Sequence, residues 1–193
     1  MPVAAAENCI YVGSDNTHVL VDIGISGKKM ETGLNSLELT GRDLDGILIT
    51  HEHSDHIKGL GVISRKYGIP IYATAGTVDA MVRTNALGKI PEGIFHEIQE
   101  NEPFMINDLK VNPFTIPHDA AQPVGYRLEH EGHSVGIATD LGKNIMIILL
   151  RICRDWMRFV WKQIMIFVCC RWVKCPYYLK QSYSGRREGS FWS

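Results

Sequence analysis

The stretch Gly46-Ile47-Leu48-Ile49-Thr50-His51-Glu52-His53-Ser54-Asp55-His56 decides how this chain is read. Ile47 to Ile49 form a short apolar run of the kind that makes a buried strand. Ile57 to Tyr67 place Leu60, Ile63 and Tyr67 on one side of a helix. The polar hexapeptide His51 to His56 is therefore the strand-to-helix turn, and in α/β folds ligands bind in the crevice at the carboxyl ends of strands. Two histidines at i and i+2 in extended backbone project to the same side, so His51 and His53 can grip one ion. Asp55 and His56, one turn further on, are placed to hold a second. Imidazole suits Zn and Fe, and the added carboxylates widen the choice to Mn. A plain solvated loop is the competing reading, but ligand-type residues this dense after a buried strand rarely coincide. The helical H-E-x-x-H zinc pattern does not apply, because Asp55 stands where its second histidine would be.

Working outward, the first 142 residues have a regular grammar. Cys9 to Val12 and His18 to Ile23 read as paired strands across the turn Gly13 to Asn16, with Asp22 near the end of the second. Ser26 is an N-cap for a helix through Leu37 that sets Met30, Leu34 and Leu37 on one face. A strand is expected at Ile69 to Ala73 and a helix from Thr77 to Leu87. Strands are then expected at Phe104 to Ile106, Leu109 to Thr115, Val124 to Leu128 and Ser134 to Ala138, with Glu131-Gly132 as a hairpin turn. Mixed strands and helices with polar residues at strand ends imply a layered α/β domain. His118, in Thr115-Ile116-Pro117-His118, and Asp140, in Ala138-Thr139-Asp140, each follow a strand and are candidates to complete the metal site. His18, His96, His130 and His133 lack such context and read as surface or strand-pair residues.

A chain of 193 residues can form one domain with a sizeable core. Met1 to Asn8 lacks the basic start and apolar stretch of a secretory signal. The apolar runs Asn144 to Leu150 and Gln163 to Cys170 fall short of the ~20 residues a membrane helix needs. A soluble, cytoplasmic protein without a membrane partner is the expectation. The charge is divided: residues 1 to 142 carry 10 Lys and Arg against 19 Asp and Glu, and residues 143 to 193 carry 10 against 2, so a balance of -9 is followed by one of +8. Cys153, Cys169, Cys170, Cys175 and all four tryptophans lie in this tail, and all eight histidines precede it. Between Lys143 and Val173 no period of 3.6 or 2 is sustained. A basic membrane-surface helix and a cysteine metal site are weaker readings of the tail, since Cys169-Cys170 with Cys175 lacks paired C-x-x-C spacing.

The order Asp22, H-x-H-x-D-H over His51 to His56, His118, Asp140 resembles the metallo-β-lactamase-fold hydrolases. The stretches VDIGISGKKMETGL, GILITHEHSDHIKGLGVISRKYGIPIYA, HDAAQPVGY and ATDLG are similar to the YycJ/WalJ-type branch, and the likeness runs over residues 8 to 142. It implies an αββα sandwich, incomplete at the C-terminus, with two divalent ions (Zn, Mn or Fe) along one edge. His51, His53 and His118 would hold one ion, Asp55 and His56 the other, and Asp140 would bridge them, with Asp22 bracing the site from behind. Two such ions lower the pKa of a bridging water and stabilise attacking and leaving oxygens; Asp55 would also orient or deprotonate the resulting hydroxide. The implied activity is phosphodiester hydrolysis of the 5'-to-3' DNA exonuclease kind. The acidic balance of residues 1 to 142 argues mildly against a nucleic-acid partner. The alternatives are a thioester, lactone or β-lactam hydrolase taking a small ester substrate, and a non-catalytic metal-binding fragment.

Relatives place a further histidine late in the chain to complete the second ion's ligands, and this chain has none after His133. With suitable synonymous codons, a neighbouring frame of Asp155 to Lys174 reads D-A-V-C-L-E-A-N-H-D-L-R-M-L-Q-V-G-K, much like the family's next segment. The present frame agrees again over Cys175 to Gln181. Residues 1–142 thus read as the metallo-β-lactamase core, and the atypical tail 143–193 as frame-shifted over 143 to about 173 and 182 to 193. In such a tail the second metal position and the activity would be the first things at risk.

Overall fold

The computed structural model of the chain describes residues 1–140 and the strand at 164–169. Eleven strands are described. A six-stranded sheet runs in simple order through β1 (Val3–Ala5), β2 (Ile10–Gly13), β3 (His18–Val21), β4 (Gly46–Leu48), β5 (Ile71–Thr74) and β6 (Phe95–Ile98). The first three strands pair antiparallel, and β3 to β6 pair parallel. Parallel neighbours need crossovers, supplied here by α1 (Gly27–Asn35), α2 (Ser54–Ile57) with α3 (Leu60–Tyr67), and α4 (Ala75–Arg83). The second sheet is an antiparallel set of five: β7 (Phe104–Ile106), β8 (Leu109–Thr115), β9 (Val124–His130), β10 (His133–Thr139) and β11 (Ile164–Cys169), with β11 beside β10.

The period-2 alternation of the strands sorts their side chains into two cores. Tyr11, Leu20, Ile47, Ile49 and Ile71 face the helices, where Met30 and Leu34 of α1, Leu60 and Ile63 of α3, and Met81 of α4 meet them. Ile10, Val12, Val19, Val21 and Leu48 face the other way, against Val111, Tyr126, Leu128, Val135 and Ile137 of the second sheet. The layers among the described residues are therefore helix, sheet, sheet, three of the four layers of an αββα sandwich.

Local chemistry accounts for the element ends. Ser26 caps α1 by accepting from the Lys29 backbone N–H at 3.4 Å. Gly68, at φ +66°, ends α3 in the left-handed conformation that glycine adopts freely. The helix expected from Ile57 to Tyr67 is instead two helices broken around Gly59. There the chain crosses Ile23 to Ile25 so closely that a Cβ on Gly59 would lie 2.3 Å from the Ile25 carbonyl, and the Gly59 N–H donates to Ile23 O at 2.8 Å.

Several elements differ from the sequence reading. The edge strands β1 and β6 were not expected; β6 leaves His96 and Glu97 exposed and carries no clean alternation. The strand β11 lies within the tail segment that shows no period. It is a continuous apolar run, Ile164 to Cys169, paired with β10 from Ser134↔Cys169 to Thr139↔Ile164. The other readings of the tail, its domain boundary and its cysteine cluster lie outside the described residues.

Candidate metal centre

The predicted site residues converge on one edge of the sandwich because every one of them follows a strand. Asp22 follows β3, Thr50 to His56 follow β4, His118 follows β8, and Asp140 follows β10. The loop after β4 is fastened to the second sheet: the Tyr126 hydroxyl, fully buried, donates to Ile49 O at 2.7 Å, and the Val124 N–H donates to Thr50 O at 3.0 Å. Sheet-to-sheet bonds of this kind fix where His51 begins.

Two groups of potential ligand atoms result. Ring nitrogens of His51, His53 and His118 lie within 4.8 Å of one another, and so do atoms of His51, His56 and Asp140. The His51 ring is the hub, with centroids 4.7 Å from His53, 4.5 Å from His118 and 4.0 Å from His56. His118 Nε2 and His53 Nδ1 are 3.1 Å apart, and His56 Nε2 and Asp140 Oδ2 are 2.9 Å apart. Asp55 belongs to neither group. Its carboxylate is 71% exposed, with Oδ2 at 3.8 Å from His56 Nε2.

Buried polar atoms test whether the donor set fits a cation. His51 is fully buried, yet among the described residues its Nε2 has no hydrogen-bond partner, and neither do Glu52 Oε2 and Thr139 Oγ1. Leaving such an atom unpaired costs about 1–3 kcal/mol, so the His51 Nε2, set among the ligand atoms of His53, His118, His56 and Asp140, calls for a partner. Imidazole nitrogens beside a carboxylate are the chemistry of a divalent transition-metal site. The residues fit such a group.

Electrostatics prepares the two histidines differently. Burial, reinforced by His56, His118 and His53, pushes His51 down to about 3 and keeps it neutral, the form in which imidazole ligates. Burial opposes a charge on His56 too, but hydrogen bonds and charge from Asp140 and Asp22 override it and raise His56 to about 10. Asp140 is lowered chiefly by its bond to His56. In the metal-free protein His56 is therefore an imidazolium between two carboxylates.

Asp22 carries most of the bracing. It is 1% exposed and accepts from Thr50 N at 2.8 Å, from Thr50 Oγ1 at 2.7 Å and from His56 Nδ1 at 2.8 Å. That fixes the His56 ring so that Nε2 points into the site. Thr50 Oγ1 is also 2.9 Å from His51 Nδ1, so a single hydroxyl links the two rings.

Three contributors were not singled out by the sequence reading. Glu52 Oε1 accepts from the Ala121 N–H at 2.8 Å, tying the loop of His118 to the loop of His51. Gln122 holds the same loop to the start of α4, its side-chain oxygen accepting from Gly76 N at 2.9 Å and its carbonyl from Thr74 Oγ1 at 2.7 Å. Asn8 reaches Asp55 and His56 from the turn between β1 and β2. None has a ligand's signature in sequence. The four histidines left out of the site are accounted for: His18 pairs with the Tyr11 hydroxyl at 2.7 Å, His96 stacks on Tyr72, and His130, near Asp108, opposes the exposed His133 across a hairpin.

Residues 17–149 match the β-lactamase superfamily domain. The chain belongs to that family. This β-lactamase superfamily chain is 42% identical over 135 residues to the exodeoxyribonuclease YycJ of Bacillus anthracis and 39% identical to the exodeoxyribonuclease WalJ of Streptococcus pneumoniae. Each match covers 70% of this chain and 50% of the relative, so the chain spans about half the length of these curated relatives. The transcription termination factor FttA of Methanothermobacter thermautotrophicus is 31% identical over 68% of the chain and 22% of its own length. Among solved structures, a metallo-β-lactamase of Cronobacter sakazakii superposes with a TM-score of 0.61 at 16% identity, over 70% of this chain and 54% of that one. Its likeness bears on the fold, which is that of the metallo-β-lactamases.

Proposed function

We propose that this chain is a metal-dependent hydrolase of phosphodiesters, acting on DNA as a 5'-to-3' exonuclease with two divalent ions held at the edge of the sandwich. The observation that carries the reading is the pair of ligand groups meeting at His51, whose orphaned Nε2 is buried among them. The name and 42% identity of the exodeoxyribonuclease YycJ support the choice of DNA. His51, His53 and His118 would hold one ion; His56 and Asp140, with Asp55 at the rim, would hold the second. Zn suits the all-imidazole position, and Mn or Fe the mixed one. When bound, such ions supply an acidified water and a Lewis acid for the phosphoryl oxygens. The chain's own part is to hold the ligand rings in the right tautomer through Asp22 and Thr50, and to place the exposed Asp55 carboxylate where it can orient a nucleophile or take its proton. The proposed setting is the cytoplasm, where such an enzyme meets DNA; no helix among the described residues is long and apolar enough to cross a membrane.

The test is digestion of 5'-labelled duplex and single-stranded DNA by the purified chain with Mn or Zn, beside thioester, lactone and β-lactam substrates. Metal-dependent release of nucleotides from the 5' end supports the reading. Turnover of only the small esters would replace it with the second one, which the balance of -9 over residues 1 to 142 favours. Bound metal without any turnover would leave a metal-binding fragment. The tail enters the same proposal: the jump from -9 to +8 near residue 142 is read as a change of frame in the encoding DNA, and an error-free open frame on resequencing that locus would sink it.

The titration of the ligands gives a further expectation. An ion at the second position must displace the Nε2 proton of His56, whose pKa is raised to about 10. Its affinity should therefore rise about tenfold per pH unit from neutrality toward pH 10, with one proton released per ion bound. His51, depressed to about 3, adds no such slope. Mn titrations between pH 6.5 and 8.5, with proton release followed by calorimetry in buffers of different ionisation enthalpy, check this. A flat second-site affinity would contradict it.

A further inference from the structure

Asn8 lies outside every element and carries no motif, yet its side chain enters the second ion position. Its Nδ2 lies 3.0 Å from Asp55 O, 3.1 Å from Asp55 Oδ2 and 2.9 Å from His56 Nε2. A primary amide has two N–H groups, which match the two Asp55 acceptors; His56 Nε2, protonated and bonded to Asp140, is a close neighbour of the amide and not an acceptor for it. When an ion takes His56 Nε2, the two Asp55 bonds can both be kept.

The backbone around Asn8 is built for this approach. Asn8 O accepts from Gly24 N at 2.7 Å, and Ile23 N donates to His56 O at 2.8 Å, so residue 8, the turn after β3 and the Asp55–His56 pair form one clasp. Gly24 has no room for a side chain there: a Cβ would lie 1.8 Å from Asp55 O and 2.8 Å from the Asn8 Cβ. The clasp also has a job to do. Asp55 sits on the four-residue α2 with its carboxylate 71% exposed, and among the described residues Asn8 alone donates a hydrogen bond to that carboxylate. A free surface carboxylate would have to lose its rotamer freedom on binding an ion; one already held 3.8 Å from His56 Nε2 has lost it beforehand.

We infer that Asn8 is a positioning residue for the second ion: its amide clasps Asp55 beside His56 Nε2, and so sets how tightly that position loads. The inference rests on the two-ion reading of the site. It does not make Asn8 a ligand.

The test is Co(II) titration of the full chain, followed by calorimetry and visible absorption, in the parent, Asn8→Ala, Asp55→Ala and Asn8→Ala/Asp55→Ala proteins. The step weakened in Asp55→Ala identifies the second position. Asn8→Ala is expected to weaken that step at least tenfold and leave the other unchanged. In the Asp55→Ala background it should add no further loss, because Asn8 acts through Asp55. Asn8→Leu, which is near in size and lacks the donor, should behave as Asn8→Ala does. Equal affinities in parent and Asn8→Ala, an undiminished loss in the Asp55→Ala background, or a matching loss at both positions together with a lowered metal-free unfolding temperature would each overturn the inference. Failure of the parent to bind any Co(II) would instead bring down the two-ion reading itself, and this inference with it.

Discussion

His51→Ala should abolish ion binding at the position it shares with His53 and His118, and with it metal-dependent hydrolysis. The reason is geometric: in that group the His51 ring centroid lies 4.7 Å from His53 and 4.5 Å from His118. Replacing even the hydrogen-bond partners of a metal ligand costs about 10–100-fold in affinity, so loss of a ligand itself should cost more than about 100-fold at that position. The metal-free protein should notice less. His51 is buried with an unpaired Nε2 and is held neutral, so deletion removes an unsatisfied atom while opening a small cavity, and the two effects oppose each other. The decisive measurement is thermal unfolding with and without metal. An ion at a hundred times its dissociation constant stabilises the parent by about 2.7 kcal/mol, and the His51→Ala protein should lose the share of that shift supplied by the ion at His51, His53 and His118. A variant that still gains the parent's full shift would refute the reading of His51 as a ligand, whatever its activity.

How much of this was legible in the sequence depends on whether a residue's role is local. His51, His53, His56 and Asp55 are candidates by their spacing after a buried run, and His118 and Asp140 by their positions after strands; the structure brings all but Asp55 into the two groups of neighbouring ligand-type atoms. Asp55 is paired with His56 by its place at the opening of the helix; on α2 its carboxylate is exposed, 3.8 Å from His56 Nε2, while His51 approaches His56 from within. Glu52 sat in the motif but its partner, Ala121, is 69 residues away, and Asn8 is 47 residues from Asp55. Contacts at that separation follow from how the sheets close, which periodicity does not describe. The same limit explains the two missed edge strands and the break at Gly59, where neighbouring backbone rather than local propensity decides the helix end. In the second sheet β8 was legible because alternation survives where a strand has one buried face, whereas β9 and β10, buried along most of their length, were legible as apolar runs either side of the Glu131-Gly132 turn.

Asp22→Ala is expected to destabilise the metal-free fold by about 3–5 kcal/mol, the scale of breaking a buried ion pair from one side. Asp22 is 1% exposed, and its carboxylate takes two N–H or O–H donors of Thr50 and the Nδ1 of an imidazolium that is itself 1% exposed. Removing it strands the Thr50 N–H in the core and leaves His56 facing Asp140 alone, so His56 should lose its proton nearer to neutrality than about 10. Asp22 also sits at φ +58°, a left-handed conformation that Asp tolerates better than Ala, which adds about 1 kcal/mol. Asp22→Asn separates these contributions. It keeps the shape and tolerates the backbone, and its amide oxygen can still accept one bond, so a smaller loss of about 1–3 kcal/mol is expected. Both variants should weaken the second ion about 10–100-fold through misorientation of His56, while the His51, His53 and His118 position is spared. Urea unfolding of the metal-free proteins and Co(II) titration of the same samples read the two effects separately. Stability within 1 kcal/mol of the parent for Asp22→Ala would mean that the charge on His56 is not what holds this corner of the fold. Intact stability loss with an unaffected second ion would mean that Asp22 supports the loop and leaves the ring's aim to its other neighbours.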